Sequence, residues 1–537
     1  MLGTTRSVTD PPTDKAAASS ALDLSHRGGV TIPLITASRI TIGESPRMSA
    51  NPLAPEWLVL PADANDLAPE VWPRSAQRGD DGVLAVGGAS AIALAEQFGT
   101  PLMVLDEAEV RRRAAEAYDA FTGAAERHGT TARVYYAGKA SLCTAVARWA
   151  TEAGLAIDVC TRGELEVALA AGVDPARIGF HGNNKSVSEL ERAVAVGVGS
   201  IVLDSRIELE RLAAITERLG VIQPVLVRVN SGVHAETHHF LATAHEDQKF
   251  GLTLEDAGPA VARIRELDGL EFRGLHCHIG SQIFGVAGFR ESASRVLELH
   301  ATLLEGGPVP VLNLGGGFGI AYTAADVPTP LSELADGIVA AVAEECAVRG
   351  IPIPSLAFEP GRSIVGTAGV TIYEVGTIKD VTVDTSAAGE APAHAVRRYV
   401  SVDGGMSDNA RPALYNAQYS ARIASRDSRE PAELVRVVGR HCESGDIVVD
   451  AEYLPADITP GDLLAVPATG AYCAPLSNNY NHVPRPPIVA VLDGRARVIV
   501  RGERLEDLLA RDTGIDLGAQ RDQHGNERSA GADRGEA

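Results

Sequence analysis

From Val134 to Arg362 the chain repeats one unit eight times, a short β-branched run followed by an amphipathic or loop segment, and this repetition restricts the fold more than any other feature. The runs are VYYAG, AIDVC, RIGFHG, SIVLDS, VLVRVN, GLHCHIG, VLNLGG and SLAFEP. Segments between them, such as ELEVALAAG, ELERAVAVG and IELERLAAITERLG, carry apolar residues at helical spacing. Strands joined by helices lie parallel, in a sheet buried on both faces. Eight such units predict a closed (β/α)8 barrel of the TIM type, not an open doubly wound sheet.

Outside this repeat the pattern changes. PLMVLD (101–106) predicts an extra strand beyond the barrel. After Arg362 the runs TIYEVGTIKDVTV, RRYVSVDGG, ELVRVVGR, DIVVD, DLLAVPA and PIVAVL are separated by turn residues, which predicts a C-terminal all-β domain of barrel-like or sandwich-like form. The expected organisation is a disordered extension over 1–47, a segment over 48–133 leading into the barrel and contributing to the β domain, the barrel over 134–363, the β domain over 364–513, and a disordered tail over 514–537. TSAAGEAPAHA (385–395) is expected to be a surface insertion.

A chain of 537 residues with 45% hydrophobic content can bury two cores, and a formal charge of -22 argues against a nucleic-acid surface. The six cysteines show no CxxC pair and no zinc spacing, so free thiols in a reducing cytoplasm are expected. No stretch has the roughly 20 apolar residues of a membrane span, and no leader pattern is present, so the expectation is a cytoplasmic protein without membrane partners.

In a barrel of this kind the reactive groups sit at the C-terminal strand ends. Those ends are polar here. Lys139 follows the first run, Asp158 lies within the second, His181 follows the third, and Arg228 and Asn230 close the fifth. The sixth carries His276, His278 and Ser281, the seventh Gly315, Gly316 and Gly317, and the eighth Glu359, Pro360, Gly361 and Arg362. Lys139 either snorkels to water or is an amine kept in a cleft for chemistry with a carbonyl, where desolvation lowers its pKa. GGGFG (315–319) is either a tight turn or a backbone cradle for an anion; with Ile320 in place of the last glycine it does not fit a dinucleotide fingerprint. FEPGR (358–362) joins a carboxylate and a guanidinium, which otherwise form a surface ion pair. The histidines of HCHIGSQ lack the second carboxylate cluster of a zinc site, and no metal is expected. An amine, a histidine able to stack on a ring, glycines and a serine for a phosphate, and a carboxylate for a pyridinium nitrogen together describe a pyridoxal phosphate site.

The segments VYYAGKA, IDVCTRGELEVALAAG, HEDQKFGL, HCHIGSQIF, LNLGGGFG, FEPGRSIV, VDGGMSDNARPALY, CESGD and GAYCAPLSNNYN, in this order, resemble the alanine-racemase-type barrel decarboxylases that use pyridoxal phosphate. The resemblance covers roughly Trp72 to Asp507. It implies that Lys139 is catalytic and holds the cofactor covalently, that Asp158 lies near it, and that His278 stacks on the cofactor ring. It further implies that Ser281 and Gly315 to Gly317 bind the phosphate. Glu359 would face the pyridine nitrogen, with Pro360, Gly361 and Arg362 beside it, and Tyr472 would reach the cofactor from the second domain. Cys442 in CESGD would be the acid that returns a proton, or else a small buried hydrophobe. The resemblance also implies a two-fold homodimer whose β domain, with Cys442 and Glu443, reaches the barrel mouth of the neighbouring subunit. The β domain folding back onto its own barrel is the other arrangement open to the sequence.

The charges of the second-domain motifs bear on substrate. SDNARPALY supplies Arg411 and Tyr415, CESGD supplies Glu443, and Arg362 lies nearby by resemblance; the two arginines need an anion, and Glu443 needs an ammonium. A small-molecule substrate with a distal amino-acid group, as in meso-diaminopimelate, meets both demands, and its decarboxylation yields L-lysine. Tyr472 is expected to touch substrate as well as cofactor. The alternatives are an amino-acid racemase, another basic-amino-acid decarboxylase, or a non-catalytic pyridoxal phosphate-binding protein on the same fold.

Overall fold

Eight parallel strands close on themselves. They are β1 (Ala132–Ala137), β2 (Ala156–Val159), β3 (Ile178–Phe180), β4 (Ser200–Leu203), β5 (Gln223–Asn230), β6 (Leu270–His276), β7 (Val311–Asn313) and β8 (Ser355–Phe358). Closure is direct, since β8 pairs back onto β1 with Leu356 opposite Ala132 and Phe358 opposite Val134. The computed structural model describes residues 51–233, 249–386 and 393–514. The expected disordered extension, the tail beyond Gly514, the middle of the 385–395 insertion and the HEDQ of HEDQKFGL lie outside the described residues.

Strands such as β2 are buried at every position, as a parallel strand covered on both faces must be. The crossover helices begin where the sequence supplies a side-chain cap: Thr161 accepts from the N–H of Glu164, and Ser186 with Glu189 forms a reciprocal capping box. Only a one-turn helix, Arg362–Val365, follows β8. The helix layer is instead completed by Glu107–Arg127, which precedes β1 and packs against β1 and against the helix Leu331–Arg349. Its buried face, Val110, Ala114, Ala117, Phe121 and Ala124, follows helical spacing, and Phe121 stacks on Phe358 of β8 with ring centroids 4.2 Å apart.

The second sheet is built on the long strand Gly369–Asp384. Its first half pairs antiparallel with Leu102–Asp106 and with Leu463–Pro467, and its second half with His394–Val402. PLMVLD is therefore a strand outside the barrel, and the chain passes through this sheet before it enters the barrel. The hairpin Ala432–Val438 and Ile447–Pro455 extends one side, and Ile488–Leu492 with Arg495–Val500 the other. The closed barrel plus a separate β domain is the fold class the sequence predicts.

Candidate active site

The C-terminal strand ends converge on a cavity of about 800 Å³ whose wall includes Lys139, Asp158, His181, Arg228, His276, His278, Ser281 and Glu359. A smaller pocket beside it is bounded by Lys139, His278, Ser281, Gly317, Glu359, Arg362 and Tyr472. Lys139 opens onto both, and it makes no hydrogen bond or ion pair among the described residues. It is an amine facing enclosed space, not a snorkelling strand end. Burial works against its charge, but the carboxylate of Asp158 and then Tyr472 outweigh burial and leave its pKa above the ordinary lysine value. The expectation that desolvation lowers it is thus reversed, because the pocket also holds carboxylates.

Glu359, at the end of β8, is the most heavily buttressed group. Asn313 Nδ2 donates to its Oε1 at 2.7 Å, His276 Nε2 stands 3.3 Å and His181 Nε2 also 3.3 Å from the same oxygen. His276 Nδ1 has no partner, so the neutral ring carries its proton on Nε2 and donates it to Glu359. Burial depresses both histidines, His181 to about 3, and keeps them neutral. Burial alone would raise Glu359, yet His181, His276 and the donated hydrogen bond hold its carboxyl well below the usual range. Asp158, also buried and lying 3.5 Å from His181 Nε2, is pushed well above that range by burial and by the Glu359 charge. Glu359 is therefore the group of the site held toward its anion, and the Asp158 carboxyl beside it is pushed the other way. FEPGR is not a surface ion pair: Glu359 and Arg362 are both buried and contact different partners.

The glycine run follows β7. Gly315 N donates to Asn313 Oδ1 at 2.8 Å and Gly316 N to His278 Nδ1 at 3.3 Å. A Cβ on Gly316 would lie 2.1 Å from the carbonyl oxygen of Glu359, and Gly317 has φ +104 with the carbonyl oxygen of Gly280 2.3 Å from its Cβ position. Only glycine lets this loop lie flat against the ends of β6 and β8. Arg362 donates to Ser281 Oγ at 2.9 Å and to the hydroxyl of Tyr322, and its guanidinium lies 4.6 Å from the ring centre of Tyr472. Tyr472 belongs to the β domain, yet its N–H donates to the Ala140 carbonyl at 2.6 Å, which brings it to the barrel mouth of its own chain. An anionic carboxylate for a ring nitrogen, a loop only glycine can form, a serine and an arginine beside it, and an open lysine fit pyridoxal phosphate in size and chemistry.

Arg411 is buried, donates to the hydroxyl of Tyr419, and lies 4.5 Å over the ring of Tyr322. Tyr415 is 63% exposed. Cys442 and Glu443 are exposed on a turn fixed by Asp446, whose carboxylate accepts from Met406 N at 2.6 Å and His441 N at 2.7 Å. Arg411, Tyr415, Cys442 and Glu443 line neither cavity. Exposure excludes the buried-hydrophobe reading of Cys442. Sequence reasoning missed Asn313 and Tyr322 and assigned no role to His181 or His276. Their positions at or just beyond strand ends were the available signal.

The fold and the site together define a pyridoxal phosphate-binding barrel enzyme. Residues 107–366 match the family model described as pyridoxal-dependent decarboxylase, pyridoxal binding domain. The diaminopimelate decarboxylase of Mycobacterium tuberculosis is 52% identical over 453 residues, covering 83% of this chain and 98% of the relative. That of Bacillus subtilis is 41% identical over 450 residues, covering 83% and 99%. The crystal structure of diaminopimelate decarboxylase from M. jannaschii in co-complex with L-lysine superposes with a TM-score of 0.75 at 32% identity, covering 83% of this chain and 99% of that one. The chain belongs to the diaminopimelate decarboxylase family of pyridoxal-dependent decarboxylases.

Proposed function

We propose that this protein uses pyridoxal phosphate to decarboxylate meso-diaminopimelate to L-lysine and carbon dioxide. The observation that carries the substrate reading is that Arg362 and Arg411 are both buried, yet neither has a carboxylate within 4.0 Å among the described residues. Two buried guanidinium groups held only by hydroxyls and aromatic faces call for an anion from outside, because an unpaired buried charge is costly. A substrate with a carboxylate remote from the reacting carbon supplies it. Ornithine, whose remote end is a cation alone, does not.

Pyridoxal phosphate, when bound, supplies the electron sink for bond cleavage at Cα. Lys139 would hold it covalently, Ser281 and Gly315 to Gly317 would take its phosphate, and His278 would cover its ring. Ionised Glu359 would favour a protonated ring nitrogen, since its own affinity for a proton is depressed by His181 and His276. Pro360 and Gly361 set the turn that carries Arg362, and Tyr472 covers the pocket from the β domain. Cys442 would supply the proton that Cα needs once carbon dioxide has left, and Glu443 and Tyr415 would receive the remote ammonium and carboxylate.

That assignment needs two chains. Cys442 and Glu443 are exposed and lie outside the cavity walls of their own subunit, which supports a homodimer in which each turn completes the partner's site. The six unpaired cysteines support work in a reducing cytoplasm, and no helix among the described residues is long and apolar enough to cross a membrane. Arg411→Ala tests the substrate reading: removing one charge-assisted bond should raise KM for meso-diaminopimelate at least tenfold, since each such bond contributes about 1.5–3 kcal/mol, with the cofactor absorbance unchanged. An unaltered KM would refute it.

A further inference from the structure

Tyr322 stands between the two unpaired arginines. Its hydroxyl accepts from Arg362 Nη1, while the Arg411 guanidinium lies over its ring face at 4.5 Å. One side chain thus satisfies two like charges with two different electron-rich parts, a lone pair at its edge and the π face at its centre. After these contacts, Nε of Arg362 and both Nε and Nη2 of Arg411 have no acceptor among the described residues.

The position of Tyr322 is imposed by the barrel. The backbone N–H groups of Tyr322 and Thr323 both donate to Asp326 Oδ2 at 2.9 Å. Two residues earlier, Ile320 exchanges hydrogen bonds with the Gln282 side chain, at 3.0 and 3.1 Å, tying the glycine loop to the Ser281 segment. Arg411 and Tyr419 come from the β domain, and the Tyr419 ring meets Tyr322 edge-on with centroids 5.1 Å apart. A barrel residue therefore decides where the β-domain arginine stands relative to Arg362.

We infer that Tyr322 is a specificity-determining positioning residue, holding Arg362 and Arg411 as one receptor for the carboxylate that the substrate keeps. The inference rests on the substrate reading above. Decarboxylation removes one carboxylate of the diacid, and L-lysine retains the other. A ligand pair that differs only there isolates the effect: L-lysine carries the carboxylate and 1,5-diaminopentane does not.

The test is calorimetric binding of both ligands to the holoenzyme of wild type, Tyr322→Phe and Tyr322→Leu. The phenylalanine variant keeps the ring under Arg411 and removes only the hydroxyl that accepts from Arg362; the leucine variant removes both contacts. Tyr322→Phe should weaken L-lysine about tenfold and Tyr322→Leu further, while the diamine shifts less than twofold and cofactor content stays at the wild-type level. Equal weakening of both ligands would make Tyr322 a general packing residue, and no weakening of L-lysine would remove any role; either result overturns the inference. The substrate reading fails separately if the wild type binds L-lysine no more tightly than the diamine.

Discussion

Glu359 shows how a buried carboxylate is kept charged. Desolvation favours its neutral form, and His181, His276 and Lys139 around it reverse that preference. Glu359→Gln keeps the shape but removes the charge proposed to hold a proton on the cofactor nitrogen. It should lower kcat by roughly 10²–10³, in line with loss of one preorganised electrostatic group, while the enzyme still binds cofactor. Stopped-flow turnover with parallel cofactor quantification checks this, and a loss under fivefold would mean that Glu359 does not face the nitrogen. Charged strand-end residues such as Lys139 and Glu359 were legible in the sequence because ionisable groups stand out in apolar runs. Asn313 and Tyr322 were not, since their meaning lies in contacts to Glu359 and Arg362, 46 and 40 residues away.

At the scale of elements, alternation of β-branched runs marks the barrel strands, because burial on both faces admits few other residues at β2 or β4. The helix Glu107–Arg127 was not anticipated. It precedes the first strand instead of following one, and its place in the ring depends on how little chain follows β8. Elements also carry titration effects unrelated to the site. His300, buried on the helix Ala287–Leu304 with Nδ1 unpartnered, is lowered by burial from 6.5 to about 4. The unfolded chain takes up this proton first as pH falls, so folding stability is lost from pH 6.5 down to about 4, at no more than about 1.4 kcal/mol per pH unit. His300→Leu removes that loss. Thermal melts of the two proteins should diverge in favour of the variant across this window, and parallel curves would show that His300 does not titrate in it.

At the scale of the whole molecule the proposed site draws on both domains of one chain and, in the homodimer proposed, on both chains. Tyr472 and Arg411 bring the β domain to its own barrel, whereas Cys442 and Glu443 point that domain's other edge outward. If the outward turn completes a neighbour's site, two inactive variants should rescue one another. Lys139→Ala mixed with Cys442→Ala, under conditions that exchange subunits, gives heterodimers with one doubly damaged site and one intact site. Activity should return toward one quarter of wild type at equal mixing; verified exchange without any recovery would confine each site to one chain.

The central claim, a decarboxylase whose two buried arginines demand a remote carboxylate, is tested most directly by a substrate panel. Purified holoenzyme is supplied with meso-diaminopimelate, L-lysine or L-ornithine, and carbon dioxide release is followed while the amino-acid product is identified. The account predicts carbon dioxide and L-lysine in equal amounts from meso-diaminopimelate, with the other two turned over at least a hundredfold more slowly, as expected when buried polar groups are left unmatched. Ornithine decarboxylated as fast as meso-diaminopimelate, or no carbon dioxide from any of the three, would contradict it.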